Sequence, residues 1–168
     1  KSFSNNTPHL EKGCILDDST GPILLGENVT IKSGAIIKGP IFIDQNSIIN
    51  EGAILKGNII IGPQCKIGGE VTNTIFQGYS NKQHEGFLGH SYIGEWVNLG
   101  ANTNNSNLKN NYGKIKFNFL NKVVDTHKIF LGVMIGDFTR TGINTMINTG
   151  SYIGLGANLF GAGFQNKY

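Results

Sequence analysis

From Leu25 onward an aliphatic residue returns every six positions: Leu25, Ile31, Ile37, Ile43, Ile49, Leu55, Ile61 and Ile67. Four places after each stands a small or apolar residue: Val29, Ala35, Ile41, Ser47, Ala53, Ile59, Cys65 and Val71. Gly and polar residues commonly fill the places between. The beat returns at Ile93 and Leu99. It returns again at Ile129, Ile135, Thr141, Ile147, Ile153 and Leu159, with Val133, Thr139, Thr145, Ser151 and Ala157 four places on. A helix of period 3.6 cannot hold a strict six-residue spacing, and period-2 alternation leaves the small residue at the fifth place unexplained. A triangular coil accounts for both. Each hexad is one short strand plus a turn, and three hexads close one rung. The aliphatic side chain points to the axis, and the small residue fits where the chain bends. Rungs stacked at strand spacing, ~4.8 Å, bury their apolar faces on one another. The pattern predicts an all-β fold, a parallel β-helix of hexapeptide repeats over 21–164. Residues 1–20 read as a linker or cap and 165–168 as a tail.

The beat breaks twice. Residues 73–92 keep apolar spots at Ile75, Phe76, Phe87 and Leu88 but lose the spacing. Residues 104–128 abandon it, opening with a polar, turn-forming run from Asn104 to Gly113. An excursion of that length from a compact solenoid marks a functional loop. Within it, Lys114-Ile115-Lys116-Phe117-Asn118-Phe119 alternates polar and apolar, as a hairpin strand does. The last rung ends at Phe160-Gly161-Ala162-Gly163-Phe164 without a capping helix. An open end of this kind exposes unpaired strand edges, so a further cap or another chain is expected to cover it.

Composition narrows the function classes. The chain has 168 residues, 39% hydrophobic and only 15% charged, with 24 Gly. That excludes a disordered chain. No apolar run approaches the ~20 residues of a membrane helix, and Lys1 to Asn6 lack the apolar stretch of a secretory signal. Cys14 and Cys65 are the only cysteines, and Cys65 falls on an inward-facing position. A buried free thiol fits a reducing, cytoplasmic setting. The net charge of +3 sits in the second half, where Lys109, Lys114, Lys116, Lys122 and Lys128 have only Asp125 among them. Such a patch favours a small anion such as a phosphate. One Arg in the whole chain and no basic helix argue against nucleic acid.

The run from His84 to Gly100, His84-Glu85-Gly86-Phe87-Leu88-Gly89-His90-Ser91-Tyr92-Ile93-Gly94-Glu95-Trp96-Val97-Asn98-Leu99-Gly100, resembles the left-handed β-helix domain of bifunctional sugar-1-phosphate nucleotidyltransferase/acetyltransferases. Gly69-Glu70-Val71-Thr72-Asn73 upstream, and Val124-Asp125-Thr126 and Ile135-Gly136-Asp137 through Asn144 downstream, extend it over roughly 14–164. The runs 78–82 and 102–112 are similar to a subgroup of sugar nucleotidyltransferases with an attached β-helix. The resemblance implies a left-handed coil, a homotrimer, and transfer of acetyl from acetyl-CoA to the amino group of an amino sugar phosphate. His84 matches the catalytic base, since an attacking amine must lose a proton and a neutral imidazole can take it. Asn98 matches an Asn that contacts the amino sugar. Asn107 falls near the coenzyme A contact, and Lys109 and Arg140 are the cations expected at its phosphates. Three positions depart from the pattern. Phe87 stands where the family has Tyr, Thr72 where it has a phosphate-contacting Lys, and Asn81 where it has a second Lys. Lys82, adjacent, is the substitute for that Lys, so Lys82 and Phe87 join Asn98 as expected sugar contacts.

Two other functions fit parts of the sequence. The β-helix can be a non-catalytic scaffold that oligomerises or regulates a nucleotidyltransferase domain preceding it. The Gly-rich signature of that domain is absent here, so the 168 residues read as the tail of a longer protein. The departures at Phe87 and Thr72 favour the scaffold. A trimeric zinc site would need His84, His90 and His127 to meet, but their spacing does not match the zinc carbonic anhydrases of this fold. No metal is expected.

Overall fold

The structure, a computed structural model, describes residues 7–119 and 122–165. The first six residues of the expected linker and the last three of the expected tail lie outside the described residues. Every regular element in the described residues is a β-strand. All but one antiparallel pair stack in three walls as a parallel β-solenoid of about eight turns. The first wall stacks His9–Leu10, Thr30–Ile31, Ile48–Ile49, Lys66–Ile67 and Asn81–Lys82. Asn98 bridges Asn81 to Arg140, and Arg140–Thr141 pairs with Asn158–Leu159. The second wall stacks Ile15–Asp17, Ile36–Lys38, Ile54–Lys56, Glu70–Thr72 and Phe87–Gly89, and above them Asn104–Asn105 pairs with Met146–Ile147. The third wall is a seven-stranded sheet from Ile23–Leu25 up to Ser151–Ile153.

The six-residue beat is the axis. Ile31, Ile37, Ile43, Ile49, Leu55, Ile61 and Ile67 are fully buried, and the fifth-place residues Val29, Ala35, Ala53 and Cys65 are buried with them. Hydroxyl residues at the fifth place are buried too, and two of them, Ser47 and Ser80, close hydrogen bonds between rungs. Ser47 Oγ donates to Gly62 O at 3.0 Å and accepts from Cys65 N at 3.0 Å. Ser80 repeats this between Gly94 O and Val97 N, at 2.8 and 3.0 Å. A buried hydroxyl satisfied on both sides carries no desolvation penalty.

Register differs from the plain beat in three places. The coil starts earlier than position 21. His9–Leu10 and Ile15–Asp17 pair with Thr30–Ile31 and Ile36–Lys38, so residues 9–17, expected as linker or cap, form the first rung of the coil. The beat misses it because Leu16 and Leu25 are nine positions apart, with extra residues at the corner. From Val71 to Ile93 the inward slots are Val71, Phe76, Lys82, Leu88 and Ile93, the first three in register with Leu55, Ile61 and Ile67 below. The corners at Gly68–Gly69 and at Asn73 are shorter, which scrambles the spacing but not the stack. The excursion begins later than position 104, since Asn104 and Asn105 still pair with the rung above. It re-enters at Gly132, where the amide donates to His90 O at 2.8 Å. Ile129 is therefore off the axis and 47% exposed. The expected hairpin is present, Lys116–Phe119 antiparallel to Lys122–Asp125. Phe119 meets Tyr152 of the third wall edge-on, with ring centroids 5.1 Å apart.

The corner between the third and first walls takes a left-handed residue on successive rungs: Asn28, Asn46, Gln64, Tyr79, Trp96 and Phe138 all have φ between 52° and 60°. Asn tolerates that region, but Gln does not gain from it. Gln64 is exposed. Gln64→Gly should therefore raise stability by roughly 0.5 kcal/mol, the relief of the left-handed strain less the added entropy of the unfolded glycine. Thermal melts of the two proteins check the sign.

Candidate active site

The motif residues fall on two sides of the prism. On the first wall, Asn81, Asn98 and Arg140 form an outward column on consecutive rungs. Asn81 Nδ2 donates to Asn98 Oδ1 at 2.9 Å, while the buried Asn81 Oδ1 has no hydrogen-bond partner among the described residues. Arg140 is exposed at the top of the column. The chain then turns through residues 83–86 into the second wall, and His84 stands exposed on that corner. The corner is held from below and above. Asn50 Nδ2 donates to Gln83 O at 2.9 Å, and Asn102 N donates to Glu85 O at 2.9 Å.

Lys82, expected as a sugar contact, does not face outward. It occupies an inward slot, 2% exposed, and its Nζ donates to Gly68 O at 3.1 Å and to His84 O at 3.0 Å. Burial pushes its pKa down to about 8, with Glu85 the only charge drawing it back up. The substitution of Lys82 for the missing family Lys is thus overturned by alternation along the strand, which sends Asn81 out and Lys82 in.

On the second wall, Phe87 N donates to Asn104 Oδ1 at 2.7 Å. The Phe87 ring folds back over Gly89, where a β-carbon would lie 2.6 Å from the ring's Cζ and 2.7 Å from Asn107 Nδ2. Asn107 in turn contacts His90 Nδ1 at 2.9 Å, and Phe130 stacks on the His90 ring at 5.1 Å. With the Asn107 amide nitrogen as donor, Nδ1 accepts, and the imidazole carries its proton on Nε2. Burial holds the His90 pKa below the ordinary value, so the ring is neutral at pH 7. His90, Asn73, Tyr92, Lys128 and Phe130 line a cleft of about 610 Å³ between the excursion and the third wall. Lys109 is folded into the excursion, its Nζ donating to Lys114 O at 2.7 Å.

The structure thus brings Phe87 and Asn107 together at Gly89 and adds His90, a residue of the motif run to which the resemblance gave no role. It keeps Asn98 and Arg140 together on another wall, with His84 at the corner between. The signal for His90 lies in register. It is the left-handed corner residue one rung above Asn73, which brings it beneath the returning excursion. Among the described residues no three His, Cys, Asp or Glu side chains converge in a metal-binding group. No described helix is long and apolar enough to cross a membrane.

A parallel β-helix of hexapeptide type, with a motif-bearing corner and a looped-out hairpin, is the class these features define. No family model matches the chain. Over 167 residues, 98% of its length, it is 35% identical to the bifunctional sugar-1-phosphate nucleotidylyltransferase/acetyltransferase of Sulfurisphaera tokodaii, of which it spans 41%. It is 34% identical over 85 residues, 51% of the chain and 21% of the relative, to the bifunctional protein GlmU of Methanocaldococcus jannaschii. A solved structure of a perosamine N-acetyltransferase mutant from Caulobacter crescentus, in complex with CoA and GDP-perosamine, covers 92% of this chain and 53% of its own, at 15% identity and a TM-score of 0.39. The chain is a homologue of part of the bifunctional sugar-1-phosphate nucleotidylyltransferase/acetyltransferases. It spans less than half the length of the curated relatives it matches.

Proposed function

We propose that this β-helix is an acetyltransferase unit that moves acetyl from acetyl-CoA to the amine of an amino sugar phosphate. The observation that carries the reading is the end-to-end similarity to a nucleotidylyltransferase/acetyltransferase, with His84 and Asn98 at the motif positions on adjoining rungs. His84 is exposed at a corner tied to the rungs on both sides, which suits a base that must reach a bound substrate. The amine attacks the thioester carbonyl, an N–C bond forms, and the C–S bond breaks. His84 takes the amine proton and returns it to the departing thiolate. Asn98 offers an amide to a sugar hydroxyl, and Phe87 an apolar face in place of the family's hydroxyl donor. Asn107, Lys109 and Arg140 serve the coenzyme, the cations at its phosphates.

Asn107 and Arg140 sit on different walls, so a single chain does not close this site around a coenzyme. That supports a homotrimer in which the first wall of one copy faces the second wall of another. An outward apolar stripe on the third wall, including Leu24, Phe42, Ile60, Ile75 and Tyr92, supports packing between copies as well. The reading places the reaction in the cytoplasm, where acetyl-CoA is made and both cysteines stay as free thiols. The scaffold reading is favoured by one observation. The motif corner offers no cation, because Lys82 is turned inward and Thr72 and Asn81 replace lysines.

One assay separates the two. The purified protein is incubated with acetyl-CoA and glucosamine-1-phosphate, galactosamine-1-phosphate or a wider amino-sugar panel, and free thiol is measured. Thiol release that falls by roughly 10²–10⁴-fold in His84→Ala is the expected result for a lost general base. No release across the panel, with no acetyl-CoA binding by calorimetry, would leave the scaffold.

A further inference from the structure

Lys82 is the anomaly of the axis. Its slot belongs to the column Ile31, Ile49, Ile67 below it and continues beside Leu99 above, an apolar stack with a cation set into it. No carboxylate lies within ion-pair distance of it among the described residues. Its two acceptors are backbone carbonyls, Gly68 O on the rung below and His84 O on its own rung. The corner beneath is cut short there, with Val71 following Ile67 by four positions where six is usual. The shortened corner leaves no room for side chains. A β-carbon at Gly69 would stand 2.8 Å from Lys82 Nζ and 3.0 Å from His84 O. An aliphatic side chain fills an apolar slot without desolvating a charge, so the stack alone gives no reason for a lysine. What the lysine adds is a grip on the peptide that carries His84.

We propose that Lys82 is a positioning residue for His84, clamping the His84 carbonyl to the rung below so that the imidazole projects from a fixed origin. The proposal rests on the acetyltransferase reading for its catalytic consequence, but the clamp itself does not. Displacement of a reacting group by about 1 Å can cost up to roughly 10²-fold in rate. A loosened corner shows in kcat, while substrate contacts made elsewhere keep KM.

The test is Lys82→Met, which fills the slot with an apolar chain of similar length. Thiol release should show kcat lowered about 10-fold or more, KM for both substrates within about two-fold of the parent, and a melting temperature at pH 7 within a few degrees of the parent's, the relief of a buried charge offsetting the lost bonds to Gly68 O and His84 O. The His84 ring signals, assigned by their loss in His84→Ala, should shift in the NMR spectrum, together with the Glu85 amide. An unchanged kcat overturns the proposal, as does a variant that loses stability in step with activity or fails to fold, since either makes Lys82 a structural strut. If the parent protein itself transfers no acetyl, the functional reading falls and the spectrum decides the clamp. Unmoved His84 and Glu85 signals sink it, and shifted ones keep it.

Discussion

Asn105→Leu should weaken the fold by roughly 1–3 kcal/mol, the cost of leaving the buried Gly89 N–H without a partner while Gly89 O keeps the Ser91 hydroxyl at 2.9 Å, although a leucine is what the six-residue spacing asks for at that slot. Asn105 is buried on the axis, six positions after Leu99. Its Oδ1 accepts from Gly89 N at 2.8 Å and its Nδ2 donates to Gly89 O at 3.0 Å. The side-chain amide thus presents to Gly89 what the peptide of an overlying strand would present. It has to, because the backbone above Gly89 is leaving the coil for the excursion. The same Nδ2 lies 3.3 Å from Ser91 Oγ and 3.2 Å from Ser106 O, so the take-off point is held as well. Leucine would match the volume and satisfy none of this. The melting temperature should fall by roughly 2–12 °C for a domain of this size. A Leu variant as stable as its parent would show that water or backbone replaces the amide.

Lys82 and Asn105 also mark where reading the sequence stops working. Periodicity counts chain positions, so it finds the axis wherever corners have constant length, as from Ile31 to Ile67. It cannot see that a corner has lost two residues at Gly68–Gly69 or gained three before Leu25. It therefore puts Val71 at a corner place and leaves Phe76 and Leu88 off the beat, although all three fill inward slots and are buried. It also admits Ile129, which keeps the count but lies on the excursion. Polar residues in inward slots carry no hydropathy signal, and their partners are remote in sequence. His84 and Asn98 were legible from the resemblance of one continuous run, whereas the pairing of Asn98 with Arg140 across 42 positions was not. The cluster of Phe87, His90, Asn107 and Phe130 was not, because it forms only when a segment some forty positions after His90 closes back over it, Leu131 N donating to Asn107 O at 3.0 Å.

The pH dependence of stability gives the second large effect. Lys82 titrates at about 8 in the fold against 10.5 ordinarily, because burial disfavours the charged form. Below pH 8 both folded and unfolded chains hold the proton, and the fold carries the full desolvation penalty. Between pH 8 and 10.5 the unfolded chain keeps a proton that the folded chain has released. Stability then rises with pH, by a total of about 3 kcal/mol at ~1.4 kcal/mol per pH unit. Cys65 works the other way. Burial raises its thiol from 9.0 to about 11, so the fold retains a proton the unfolded chain loses and is weakened as pH climbs past 9. The raw curve of the parent protein mixes the two. Its difference from Lys82→Met isolates the lysine, since both chains carry the same thiol. Urea unfolding of the pair from pH 7.5 to 10.5 should show the Met variant's stability relative to the parent highest near neutrality and falling by about 3 kcal/mol toward the alkaline end. Parallel curves would mean that the amine reaches water in the folded state, and the cation on the axis would then be solvated and no clamp at all.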